Sequence, residues 1–138
     1  MHVEALATIA IDCGLKMHQA LGPGLLTSAY EAVFAAALER RGLSVERQKL
    51  IPIHFEDLII VGGFRADIIV DGKLLIELKS VERLARVHGK QVLTYLRFLD
   101  LPLGLLMNFG ADTFREGLRR IVNHHTDIEV SPLRVNRP

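Results

Sequence analysis

The chain has no tryptophan, only two tyrosines and six phenylalanines, so it offers no row of aromatic faces on which single-stranded bases would stack. Its one cysteine, Cys13, excludes an internal disulfide and any zinc site built from paired cysteines. A reducing, cytoplasmic setting is expected on that ground. No apolar run approaches the roughly 18 residues a membrane helix needs, and Glu4 and Asp12 stand where a secretory leader would be basic and then apolar. No membrane partner is expected. Gly22-Pro23-Gly24 is not followed by Gly-Lys-Ser/Thr, so it is a structural turn and not a phosphate loop.

What remains is an ordinary globular composition. Of 138 residues, 49% are hydrophobic and 24% charged, enough for one compact core, expected over residues 1–126 with a tail over 127–138. The net charge of +1 conceals an asymmetry. Residues 50–78 hold five acidic against two basic side chains, and residues 79–125 eight basic against four acidic. An acidic centre followed by a basic segment suits a site that takes a cation and then a polyanion.

Apolar positions Leu6, Ile9, Ala10, Cys13, Met17 and Ala20 recur at helical spacing over 3–21 and predict a first helix. After the Gly-Pro-Gly break, Thr27 or Ser28 is the expected cap of a second helix, with Ser28 and Glu31 spaced as a capping box. Its predicted inner stripe is Ala29, Val33, Ala36, Ala37 and Leu38, and it ends at Gly42. Residues 43–55 read as an edge strand containing Pro52; 64–70 and 74–78 read as a hairpin about Asp71-Gly72. A third helix over 85–99 and a buried strand over 103–108 follow. A last helix is predicted from Asp112 to Asn123, with Phe114, Leu118, Ile121 and Val122 inward and His124-His125 at its end.

The chemistry concentrates in that hairpin. Leu74-Leu75-Ile76-Glu77-Leu78-Lys79 is apolar enough to be a central strand, yet Glu77 and Lys79 share one of its faces. A buried carboxylate needs a partner or a metal, and Asp67, between Ala66 and Ile68, meets the same demand one strand earlier. Two carboxylates across a hairpin suit a hard cation such as Mg2+ or Mn2+, with Lys79 placed to orient a water and stabilise developing charge. The alternative is structural: a cross-strand Asp67–Lys79 ion pair with Glu77 turned to water. Register separates them. A strict two-residue turn at Asp71-Gly72 sets Asp67 against Ile76, so the metal reading requires an odd-length loop or a bulge.

Asp67 followed by Glu77-Leu78-Lys79 resembles the PD-(D/E)XK nuclease signature. The likeness widens over residues 3–123: Leu21-Gly22-Pro23-Gly24-Leu25-Leu26, Tyr30-Glu31, Arg40-Arg41-Gly42-Leu43, Phe64-Arg65-Ala66-Asp67, Ser80-Val81-Glu82, Gln91 with Tyr95-Leu96, and Gly104-Leu105-Leu106-Met107-Asn108-Phe109 resemble the GxxExxY family of that superfamily. The resemblance implies a restriction-endonuclease-like α/β fold, a mixed central β-sheet flanked by helices, with magnesium-dependent nuclease activity. It implies that Asp67 and Glu77 hold the metal, that Lys79 positions the attacking water, and that Gln91 orients that water or a phosphate. Tyr30, Glu31, His88 and Tyr95 are the implied supporting residues. Nucleic acid is the implied partner, with Arg65, Arg83, Arg86 and Lys90 the candidate phosphate contacts, extended by Arg97, Arg115, Arg119 and Arg120. The sequence departs from the family where Thr27 replaces the glutamate of Gly-x-x-Glu-x-x-Tyr; Glu31 lies about one helical turn on. That departure keeps a second reading in view, a non-catalytic nucleic-acid-binding or oligomeric module that retains the nuclease fold.

Overall fold

The computed structural model describes residues 1–124. Two long helices open the chain, α1 (Val3–Leu21) and α2 (Thr27–Arg40), then a hairpin of β1 (Val45–Phe55) and β2 (Leu58–Val70), then β3 (Leu74–Lys79). Helix α3 (Arg86–Leu99) crosses to β4 (Leu103–Asn108), and the short α4 (Phe114–Gly117) leads into β5 (Leu118–Val122). The five strands form one sheet in the order β1-β2-β3-β4-β5. All neighbours are antiparallel except β3 and β4, whose parallel pairing requires the helical crossover that α3 supplies. This is the expected mixed α/β sheet of a restriction-endonuclease-like fold, and no helix among the described residues is long and apolar enough to cross a membrane.

Strand alternation sorts the core into two layers. Leu74, Ile76 and Leu78 face α1 and α2, where they meet Leu6, Ala10, Tyr30, Phe34 and Leu38. Leu75 faces α3 and joins Val92, Leu96, Leu106 and Ile121. Glu77 and Lys79 follow Leu75 at two-residue steps and so fall on the α3 side. Strands β3 and β4 are covered on both faces, which is why each reads as a nearly continuous apolar run.

Four expectations are corrected. The second helix starts at Thr27 with Leu26 as its cap and no side-chain cap bond, so the Ser28–Glu31 capping box does not form. Its buried stripe is Tyr30, Glu31, Phe34, Ala35 and Leu38; Ala29, Val33 and Ala36 point outward, because small apolar residues surround this helix and leave its phase ambiguous in sequence. The last helix stops after four residues, capped by Thr113 and not Asp112, and Leu118–Val122 continue as β5, since the free edge of β4 takes them into its ladder. Strand β2 begins six residues before Phe64, and β1 and β2 close through Glu56-Asp57 into a long arm. His124 is exposed in a turn, and His125 and the tail lie outside the described residues.

Candidate active site

The turn between β2 and β3 has three residues, with Asp71 and Gly72 both at positive φ and the Lys73 amide donating to the Val70 carbonyl at 2.9 Å. Val70 pairs with Leu74, Ile69 with Leu75 and Ile68 with Ile76. This is the odd-length loop the metal reading required, and the next pair in that register is Asp67 with Glu77.

The ladder stops there. In place of backbone pairing, the Asp67 amide donates to Glu77 Oε2 at 2.7 Å, and the Leu78 amide donates to Asp67 Oδ2 at 2.9 Å. Each carboxylate thus holds the other's strand. Glu77 is 6% exposed. Burial, reinforced by the Asp67 charge and offset in part by the Asp67 amide and Lys79, pushes its carboxyl up to about 8. Asp67 is also raised, by burial first, and lowered by the Leu78 amide, Gln48 and Lys79. No salt bridge joins Asp67 to Lys79 among the described residues. The arrangement expected for the structural alternative, that ion pair with Glu77 in water, is not the one formed.

The third carboxylate arrives from α2. Glu31, 5% exposed, accepts from Arg47 Nε at 3.0 Å and Gln48 Nε2 at 2.6 Å. Gln48 Nε2 also reaches Asp67 Oδ1 at 3.3 Å. Glu31 adds to the upward pressure on both Asp67 and Glu77, which places its charge within electrostatic range of the pair. Sequence reasoning missed Arg47 and Gln48 entirely. Their only sequence signal is two adjacent long polar side chains inside an otherwise unremarkable edge strand.

The surrounding loops are tied down. Asn108, 1% exposed, ends β4 opposite Lys79; its Oδ1 accepts from the Val81 and Gly110 amides, and its Nδ2 donates to the Val81 carbonyl. The Phe109 amide donates to the Lys79 carbonyl at 2.9 Å. Gly110 is obligatory here, because a Cβ would sit 2.3 Å from the Val81 carbonyl oxygen. Ser80 Oγ donates to the Leu25 carbonyl at 2.8 Å and draws the start of α2 against this segment. Tyr30 stacks on Phe109 at 4.8 Å, and its hydroxyl donates to the Gly22 carbonyl and accepts from the Leu25 amide, clasping the Gly-Pro-Gly loop.

The other sequence candidates are dispersed. Tyr95 stacks on Phe64 at 4.1 Å, and burial together with the Glu77 and Asp67 charges raises its hydroxyl, so α3 borders the site. His88 Nδ1 accepts from the Ala85 amide at 2.9 Å and serves as a brace for the start of α3. Gln91, Lys90, Arg86, Arg83 and Arg65 are exposed, as are Arg97 and Arg115. Arg120 is ion-paired with Glu4, and Arg119 donates to the Glu116 and Leu118 carbonyls; both lie on β5, with β4 between them and β3.

A pair of carboxylates with an ammonium on the same strand face, in a wall of apolar residues, is the equipment of cation-assisted phosphoryl chemistry. The sequence profile of the PD-(D/E)XK nuclease superfamily matches residues 4–121. The chain belongs to the PD-(D/E)XK nuclease superfamily. Neither the curated proteins nor the solved structures hold a match to it.

Proposed function

We propose that the protein is a nuclease of the GxxExxY type that hydrolyses phosphodiester bonds of nucleic acid with Mg2+ or Mn2+. The observation that carries this reading is the reciprocal Asp67–Glu77 clamp opposite one another at the end of the β2–β3 ladder, with Lys79 on the same face. The residues fit a divalent cation. Asp67 Oδ1 and one Glu77 oxygen are left over after the backbone bonds, and two carboxylates plus water is how Mg2+ is commonly held. A cation bound there supplies Lewis acidity and lowers the pKa of a coordinated water.

The chain's own residues do the rest. Asp67 and Glu77 bind, and Lys79 orients the attacking water and neutralises charge that grows on the phosphate. Glu31, on the helix turn after Thr27, brings the α2 carboxylate that Thr27 withholds. Arg86, Lys90 and Gln91 on α3, Arg83 just before it and Arg65 on β2 are exposed and serve as the phosphate contacts of this reading.

Thr27 favours a second reading, a nucleic-acid-binding module retired from catalysis. A cleavage assay with Mn2+ or Mg2+ on mixed DNA and RNA, run on the wild type, Lys79→Ala and Thr27→Glu, separates them. Cleavage by the wild type that falls about 100-fold or more in Lys79→Ala is expected. Cleavage by Thr27→Glu alone marks a retired nuclease, and silence in all three with binding retained marks the module.

A further inference from the structure

Gln48 has φ of 51°, the left-handed region that costs free energy for any residue with a Cβ. In a regular strand Arg47 and Gln48 would point to opposite faces. Here both reach the same carboxylate, Arg47 through Nε at 3.0 Å and Gln48 through Nε2 at 2.6 Å to the two oxygens of Glu31. The left-handed residue breaks the alternation that would otherwise keep them apart. Gln48 Nε2 then spans from Glu31 Oε1 to Asp67 Oδ1, 3.3 Å away. That oxygen is the one on Asp67 that the backbone leaves over, since Oδ2 is taken by the Leu78 amide.

Resting on the nuclease reading, we propose that Gln48 is a positioning residue of the site: its amide joins the α2 carboxylate Glu31 to Asp67 and makes Glu31 the helix carboxylate that position 27 lacks. Three features argue together. Arg47 offsets the charge of Glu31, while the neutral Gln48 amide bridges to Asp67 without cancelling the charge there that attracts a cation. The strained backbone has a definite effect, which is to bring that amide to Glu31. Glu31 is buried with both oxygens engaged, so its placement is fixed and not sampled among solvent rotamers. Helix α2 thereby communicates with β2 through one side chain on β1.

The test reads Mn2+ binding by calorimetry and by water-proton relaxation, with thermal unfolding of the metal-free protein alongside. Gln48→Asn keeps a residue that tolerates the left-handed backbone but shortens the reach by one methylene. Gln48→Gly keeps the backbone at no steric cost and deletes the amide. Wild type is expected to bind Mn2+, and both variants to fold and bind about tenfold or more weaker, as loss of a group that orients metal ligands does. Cleavage, where measured, should lose kcat with KM for nucleic acid unchanged. Variants that bind Mn2+ as wild type does overturn the inference and leave the nuclease reading standing. Loss of folding in both variants overturns it in favour of a purely structural Gln48. A wild type that binds no Mn2+ overturns both readings together.

Discussion

Glu77 is asked to be buried and to carry charge, and at neutral pH in the metal-free protein those demands conflict. Its carboxyl is raised to about 8 by burial and by Asp67, against an ordinary value of 4.5. Between those values the folded chain holds a proton that the unfolded chain has released. Stability from this group is therefore fully present below about pH 4.5 and is lost as pH rises through about 8. Asp67, also raised, acts in the same direction. We expect urea unfolding of metal-free protein to show stability declining from pH 5 to 8.5, with Glu77 accounting for on the order of 3 kcal/mol. Glu77→Gln should flatten that decline, and an equal slope in the variant would show that Glu77 is not its source. Glu77 must also surrender that proton to act as a ligand, so divalent-cation binding should strengthen with pH over the same interval.

Elements are held to the site by a few polar side chains whose partners are backbone groups. Asn108 is the clearest: three hydrogen bonds to Val81 and Gly110 fix the segment that follows Lys79. Asn108→Ala removes the partner of the Val81 and Gly110 amides in a partly buried segment, at a cost of about 2 kcal/mol. The expected melting temperature is lower by on the order of 10 °C. A variant that melts with the wild type would mean the two loops hold without it. Asn108 also shows what the sequence could and could not disclose. Its position at the end of an apolar strand was legible, as were α1, β3, β4 and the Asp67–Glu77–Lys79 constellation, because each has a strong period or a costly buried charge. The reciprocal clamp was legible only as a requirement on register. Gln48 was not, because a left-handed residue other than glycine leaves no mark in sequence. The Glu56-Asp57 turn was hidden for the same reason, with Glu56 at φ of 52° and no Asn-Gly to announce it. Helix α4 and β5 read in sequence as one helix because Leu118, Ile121 and Val122 recur at helical spacing; in β5 Leu118 and Val122 face one core layer and Ile121 the other, a two-sided burial that only the edge of β4 provides.

At the scale of the whole molecule, the β1–β2 arm is the part that the core does not explain. Strand β3 pairs with β2 only at Ile68–Val70, so the arm beyond its base is two-stranded, a form that is marginal in water by itself. It nevertheless exposes Leu50, Phe55, Leu58, Ile59, Ile60 and Val61, with Val61 83% exposed. Residues 49–65 carry Lys49 and Arg65 against Glu56 and Asp57, so the arm has no net charge to draw it to nucleic acid, and its acidic tip disfavours an anionic membrane. Pro52, with no amide hydrogen, blocks continuous edge-to-edge pairing along β1. Packing of faces remains. Alternation divides the exposed side chains, with Phe55, Leu58 and Ile60 on one face and Ile59 and Val61 on the other, so a two-fold pair of arms packed through the Ile59–Val61 face would bury on the order of 500 Å², enough only for weak self-association. We expect sedimentation at concentrations rising to about 1 mM to show a weak, concentration-dependent dimer. Ile59→Lys combined with Val61→Lys should yield a monomer with unchanged circular dichroism, since both side chains already face solvent. A wild type that sediments as a monomer at that concentration, or a dimer indifferent to the double substitution, would place self-association elsewhere and leave the arm to a different protein.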